Sequence, residues 1–151
     1  MKVLVAGIGN IFFGDDAFGV EVAQRLLQRR LPEGVVVKDF GIRGLELTYA
    51  LTDGWGAAIL LDAAPRGGAP GTLYVLDTSN TSAAPELDPH EMHPARVLAM
   101  AREIGKAPKI VRVVGCEPAS ASEMEMGLSP QVAAAIDPAC ALVEELLAEL
   151  R

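Results

Sequence analysis

Short unbroken apolar runs alternate along this chain with stretches in which apolar residues recur every three or four positions. Residues 2–6 form an apolar run of β type, and from about Ala17 to Arg30 the spacing becomes helical, with Phe18, Val22 and Leu26 on one stripe. Pro32 and Gly34 punctuate the end of that helix, and residues 35–39 read as a second buried strand ending on Asp39. Gly41 to Gly44 is a turn, after which Leu45, Tyr49 and Thr52 mark a short helix closed by Gly54. Residues 57–62 are continuously apolar up to Asp62 and are the best candidate for a central strand.

Residues 63–71, rich in proline and glycine, read as loop and lead to a strand over 72–77; the polar residues 78–87 are expected to be exposed. Asp88, Pro89 and Glu91 combine a cap residue, proline at the first helical position and an acid three residues after the cap, so a helix is expected over 89–104, stopped by Gly105. A Val-rich strand follows over 109–115, then a loop through Cys116, Glu117 and Pro118. Ser129-Pro130 and Asp137-Pro138 both give the cap-then-proline signal, predicting two C-terminal helices, the second spaced by Leu142, Leu146 and Leu150. Strands alternating with helices imply a three-layer α/β/α domain around a mostly parallel sheet. No internal repeat is visible.

At 151 residues, half of them apolar, the chain is expected to form one domain over 1–151. A net charge of −7 argues against a nucleic-acid or anionic-membrane partner, both of which call for a basic face. The opening six residues resemble the start of a signal peptide, but Gly7, Gly9, Asn10 and the aspartates interrupt it too early. No run reaches the ~18 apolar residues of a membrane span. Cys116 and Cys140 are far apart and form no Cys-x-x-Cys pair, so neither a disulfide framework nor a thiolate zinc site is indicated, and a cytoplasmic location is expected.

The chemistry concentrates where strands end. Gly7-Ile8-Gly9-Asn10 closes the first strand and Asp15-Asp16 stands at the entrance to the following helix, where open α/β sheets bind their ligands. Acidic side chains there attract cations and repel phosphates. Asp16 (or Asp15), Asp39 and Asp62 would meet at one rim if their strands run parallel, because neighbouring strands are ~4.8 Å apart. His90, at an expected helix start, would be held neutral by the helix dipole and free to ligate. Carboxylates with one imidazole suit zinc, nickel, iron or manganese.

Each residue also has a plainer reading. Asp39 and Asp62 could be turn or capping residues, Asp16 could cap the first helix, and His90 could be a solvated helix-start residue with His93 the ligand in its place. Cys116 reads as a small core residue, Phe12 and Phe13 as packing beneath the helix, and Trp55 has no evident partner.

With Gly7-x-Gly9-Asn10, Asp15-Asp16-x-x-Gly19, Leu61-Asp62-Ala63, Pro89-His90 and Val114-Gly115 followed by Gly127-Leu128-Ser129, the chain resembles the hydrogenase maturation proteases over nearly its whole length. The resemblance implies a twisted five-stranded sheet flanked by helices. It also implies an endopeptidase that removes the C-terminal extension of a nickel–iron hydrogenase large-subunit precursor. The implied metal ligands are Asp16, Asp62 and His90, with Asp39 at a further acidic position. The implied metal is nickel delivered by the substrate, other divalent ions being able to substitute. Asp16 stands where the best-known members carry glutamate, so the site is expected to be tighter or to draw on Asp15. Asp16 or Asp39 would serve as the general base. A monomer is expected, acting on the large-subunit precursor, with no nucleic acid and no membrane.

Other signatures are missing or incomplete. His90-Glu91-Met92-His93 has its second histidine three residues after the first where a zinc-protease helix needs four, and there is no Gly-x-Ser-x-Gly elbow. A Rossmann-type dinucleotide module is the rival from another class, since Gly7-x-Gly9 and Asp39 match part of its fingerprint, but Phe12 occupies the third glycine position. A nickel-sensing escort that does not cut its partner is the alternative within the same reading.

Overall fold

A computed structural model describes residues 1–77, 93–119 and 126–150. Its elements are β1 (Val3–Ile8), a one-turn 3-10 helix (Gly14–Ala17), α1 (Phe18–Leu26), β2 (Val35–Gly41), α2 (Gly44–Ala50), β3 (Ala57–Ala63), β4 (Leu73–Asp77), α3 (Pro94–Ile104), β5 (Ile110–Cys116) and α4 (Pro130–Glu149). The five strands form one sheet in the order β2-β1-β3-β5-β4, parallel except for β4, which runs antiparallel to β5.

Alternation along the strands divides the core in two. Val3, Val5, Ala57, Ile59 and Leu61 pack with Phe18, Val22 and Leu26 of α1 and with the buried stripe of α4. Leu4, Ala6, Ile8, Ala58 and Leu60 point the other way, onto Leu47 and Leu51 of α2 and Val97, Leu98 and Ala101 of α3. The expected three layers and the central position of β3 are both present.

Several expectations change. β2 is not a buried strand but a sheet edge, its residues alternating between partly covered and exposed, because only β1 pairs with it. It also continues past Asp39 to Gly41, so Asp39 lies inside the strand. The buried face of α2 consists of Leu47, Thr48 and Leu51, whereas Leu45 and Tyr49 are exposed, so the stripe expected from Leu45 and Tyr49 lies one face away from the core. The helix expected from Pro89 begins at Pro94, with His93 extended as its cap, and residues 78–92 lie outside the described part.

In the C-terminal third, Asp137-Pro138 does not open a second helix. α4 runs through Pro138 as one helix of 20 residues. The stripe Ala135, Ile136, Ala139, Cys140 and Val143 crosses the proline without losing its seat on the sheet. Asp137 points outward and, with Glu144, pairs with Arg25 and Arg29 of the α1 end.

The glycines of the first motif serve close packing. A Cβ on Gly19 would come within 2.0 Å of the Leu61 carbonyl oxygen and 2.4 Å of that of Ile8, and one on Gly7 within 2.6 Å of Ala23 Cβ. Gly9, at φ +149°, would carry a Cβ 1.9 Å from the Asp16 carbonyl oxygen. The 3-10 turn and the start of α1 therefore sit directly on the ends of β1 and β3. Gly9 faces the Asp16 backbone where a dinucleotide module would place its pyrophosphate.

Gly19→Ala is expected to cost about 3 kcal/mol or more, since both obstructing atoms are backbone and cannot move aside. Urea unfolding checks this; a loss below about 1 kcal/mol would show that the contact can relax.

Candidate functional site

The close contact just described carries Asp16 to the carboxyl ends of β1 and β3. Asp16 does not cap α1, whose N-cap is Ala17 with no side-chain bond. Its Oδ2 instead accepts the backbone N–H of Asn10 at 2.8 Å, closing the loop after β1. Within that loop Asn10 Oδ1 accepts the Phe12 N–H at 2.9 Å, and the Asn10 carbonyl accepts the Phe13 N–H at 3.1 Å. The carboxylate is thus held on a hydrogen-bonded turn while still partly open to solvent.

Asp62 is the penultimate residue of β3 and is buried. Burial raises its carboxyl well above the usual range, the nearby negative charge of Asp16 raises it further, and a hydrogen bond from the Ala63 N–H opposes both in part. A buried carboxyl disfavoured as an anion, with a second carboxylate beside it, is stabilised by a cation placed between the two.

Asp39 is not brought to this pair. Val35 and Val37 pack on the α1 side of the sheet and Phe40 on the other, so alternation puts Asp39 on the α1 side. Asp62 shares the opposite face with Ala58 and Leu60. Asp39 Oδ2 accepts from Gln24 of α1 at 3.1 Å and Oδ1 from the Gly41 N–H at 2.8 Å, an arrangement that fits its plainer reading as a turn residue. The expectation that three carboxylates converge therefore reduces to two. Among the described residues no group of three His, Cys, Asp or Glu side chains could hold a metal ion. His90 lies outside the described residues.

Asp15 has a different task from its neighbour. It is buried, with Oδ1 accepting the Ser129 N–H at 2.7 Å and Oδ2 accepting the Ala119 N–H and the Ser129 hydroxyl, both at 2.8 Å. Ser129 Oγ in turn accepts the Val132 N–H at the start of α4. Asp15 thus fastens the site turn to the N-terminus of α4, three of its acceptor positions being used by protein donors. His93 is likewise occupied as the cap of α3, its Nδ1 accepting the Ala95 N–H at 3.2 Å.

The Cys116 thiol is buried and pushed up to about 11, first by burial and then by Asp15 and Glu117, in keeping with a core residue and not a nucleophile. Glu117 was not singled out by its sequence. It is buried, and Oε1 accepts the N–H groups of Arg66 and Gly68 and the Tyr74 hydroxyl at 2.8, 2.9 and 2.8 Å. Those bonds, Arg66 first, hold its carboxyl below the usual range and anchor the loop between β3 and β4. The signal available in the sequence is the richness of that loop in glycine and proline, which favours anchoring from a neighbouring side chain. Trp55 also has partners, donating from Nε1 to the Ala50 carbonyl at 2.8 Å beneath the Lys2 ammonium.

The structure is a three-layer α/β domain with an acidic pair over its central strand ends. The hydrogenase maturation protease family model HycI matches residues 20–146. The hydrogenase 2 maturation protease of Escherichia coli K12 is 36% identical over 154 aligned positions, covering all of this chain and 92% of that protein. The coenzyme F420 hydrogenase subunit delta of Methanothermobacter thermautotrophicus is 34% identical, with 94% and 92% covered. Among solved structures, the hydrogenase maturating endopeptidase HybD from E. coli superposes with a TM-score of 0.84 at 36% identity, covering 99% of this chain and 93% of that one. The chain belongs to the hydrogenase maturation protease family. Among the described residues no helix is long and apolar enough to cross a membrane.

Two outcomes test this geometry. Asp15→Ala leaves the Ala119 and Ser129 N–H groups without their buried acceptor and is expected to cost at least ~2 kcal/mol in urea unfolding. For Asp62 in metal-free protein the sign follows from its raised folded-state value. The folded chain holds the proton to higher pH than the unfolded one, so stability falls as pH rises from the ordinary aspartate range through that raised value. Asp62→Asn is expected to flatten this slope and raise the urea midpoint at neutral pH in the presence of a chelator; an unchanged slope would remove Asp62 as its source.

Proposed function

We propose that this protein is the endopeptidase that removes the C-terminal extension of a nickel–iron hydrogenase large-subunit precursor once nickel is in place, and that it reads the metal through Asp16, Asp62 and His90. The observation that carries this reading is the Asp16–Asp62 pair: one carboxylate held on a rigid turn, the other buried and disfavoured as an anion until a cation arrives. Family membership and the names of the relatives support the precursor as partner.

In this reading nickel is part of the substrate. The pair and the His90 imidazole grasp it and seat the adjoining peptide segment at the strand ends. A divalent ion there polarises a carbonyl or acidifies water, lowering the barrier to hydrolysis. Asp16, partly open to solvent and anchored through one oxygen by the Asn10 N–H, is in this reading the carboxylate that accepts a proton from the attacking water. Asp39 accepts from Gln24 and from the Gly41 N–H on the α1 side of the sheet, so in this reading it holds the β2 turn and the base is assigned to Asp16.

Incubation with nickel-loaded precursor is expected to release a short C-terminal peptide, seen as a mass loss on the large subunit, and nickel-free precursor is expected to stay intact. Asp16→Ala, Asp62→Asn and His90→Ala should each lower the rate at least 100-fold, while Asp39→Asn lowers it far less. A precursor that binds but is never shortened would make the protein an escort and overturn the enzymatic reading.

A further inference from the structure

The loop after β1 was expected to tuck both its phenylalanines beneath the helix, yet Phe12 is 56% exposed and Ile11 beside it 42%. They are not loose. The Asn10 bonds to the Phe12 and Phe13 N–H groups fix the turn, and Asp16 fixes Asn10, so this apolar tip is built onto the same hydrogen-bonded unit as the candidate carboxylate.

A second apolar group adjoins it. The Gly9 N–H donates to the Gly41 carbonyl at 3.0 Å, tying the turn after β1 to the turn after β2, which carries Ile42 at 66% exposure. α2 begins two residues later and leaves Leu45 and Tyr49, one helical turn apart, at 62% and 59%. The Arg43–Glu46 ion pair gives the group a polar border.

We propose that Ile11, Phe12, Ile42, Leu45 and Tyr49 form the surface on which the precursor docks, receiving an apolar protein segment next to the metal it presents. This rests on the reading above and adds where the partner is gripped. Three observations favour this occupant. The surface is continuous with Asp16 through the Asn10 turn. The backbone that carries Ile11 and Phe12 is held by hydrogen bonds, so less ordering entropy is lost there on contact. Its open area, on the order of 500 Å² for five such side chains, is as large as the most extensive apolar patch of a typical monomer, and such patches are often functional. Self-association on it would bury only about 1,000 Å² in total, at the floor for a specific interface. A transient contact supplemented by metal ligation fits that size better than a permanent dimer.

Two variants test this with nickel-loaded precursor: Phe12→Ser, and Leu45→Ser combined with Tyr49→Ser. All three side chains are exposed and the Asn10 bond to residue 12 uses only its backbone, so folding should be unaffected, which thermal melting verifies. Each variant is expected to raise KM at least tenfold and leave kcat within about twofold, and to weaken precursor binding in a direct titration to the same extent. Leu27→Ser, equally exposed at the far end of α1, should change neither. Unchanged KM and binding would overturn the proposal. So would sedimentation showing a wild-type dimer that these variants dissociate, since the occupant would then be a second copy. If the wild type binds precursor without cutting it, proteolysis fails while the binding titration still decides the docking surface.

Discussion

Everything at this rim depends on backbone meeting backbone where the 3-10 turn settles onto the ends of β1 and β3. Gly19 lies against the carbonyls of Leu61 and Ile8, and Gly9 against that of Asp16, at separations no side chain would tolerate. Without that approach the turn would stand off the sheet by the thickness of a methyl group, and the carboxylate on it would leave the neighbourhood of Asp62. The glycine pattern that in a nucleotide-binding fold opens space for phosphate here closes the space and fills it with an acid. Motif and function part at this point, because the same lack of a Cβ serves opposite purposes depending on what moves into the gap.

Two adjacent aspartates on that turn are then divided by their surroundings. Asp15 is buried, and its charge is met by three donors that include the cap of α4. Asp16 is met by one backbone N–H and otherwise faces Asp62. Stability is drawn from the first, while the second sits beside a buried carboxyl that is disfavoured as an anion. Glu117 repeats the first pattern at the β5 end, where a buried carboxylate organises loop amides. Acidic residues are thus used at this edge both as fasteners and as the element left unmatched, and the difference is visible only in who donates to them.

Much of the fold was legible because apolar patterning reports burial directly: β3 as the central strand followed from its unbroken apolar run, and the Phe18, Val22, Leu26 stripe from helical spacing. The errors have physical causes. β2 is rich in valine yet lies at an edge, and composition does not reveal how many neighbours a strand has. The α2 stripe slipped because a seven-residue helix offers too few turns to separate its two faces. Asp137-Pro138 imitated a helix start, but a proline within a long apolar stripe can be carried by tertiary packing. Of the site, Asp16 and Asp62 could be found from their positions at strand ends. The removal of Asp39 could not, because it turns on which side of the sheet a side chain leaves and on a β2 strand two residues longer than the expected 35–39. The donors to Asp15 and Glu117, some from residues more than 100 positions away, left no local trace.

An incomplete donor set suits the proposed task better than a complete one would. Two carboxylates and, on the proposed reading, one imidazole supply three donors, whereas a divalent first-row ion takes at least four ligands. A chain with its own closed shell would retain a metal and be blind to the partner's. On that reading positions are left for ligands that arrive on the substrate, and affinity would be a property of the pair of proteins: the apo partner would offer no cation to relieve Asp62, and free metal would lack the remaining ligands. An apolar surface next to such a site then supplies contact that does not depend on metal. On the proposed reading, the selective part of the binding energy would stay concentrated at the acid pair.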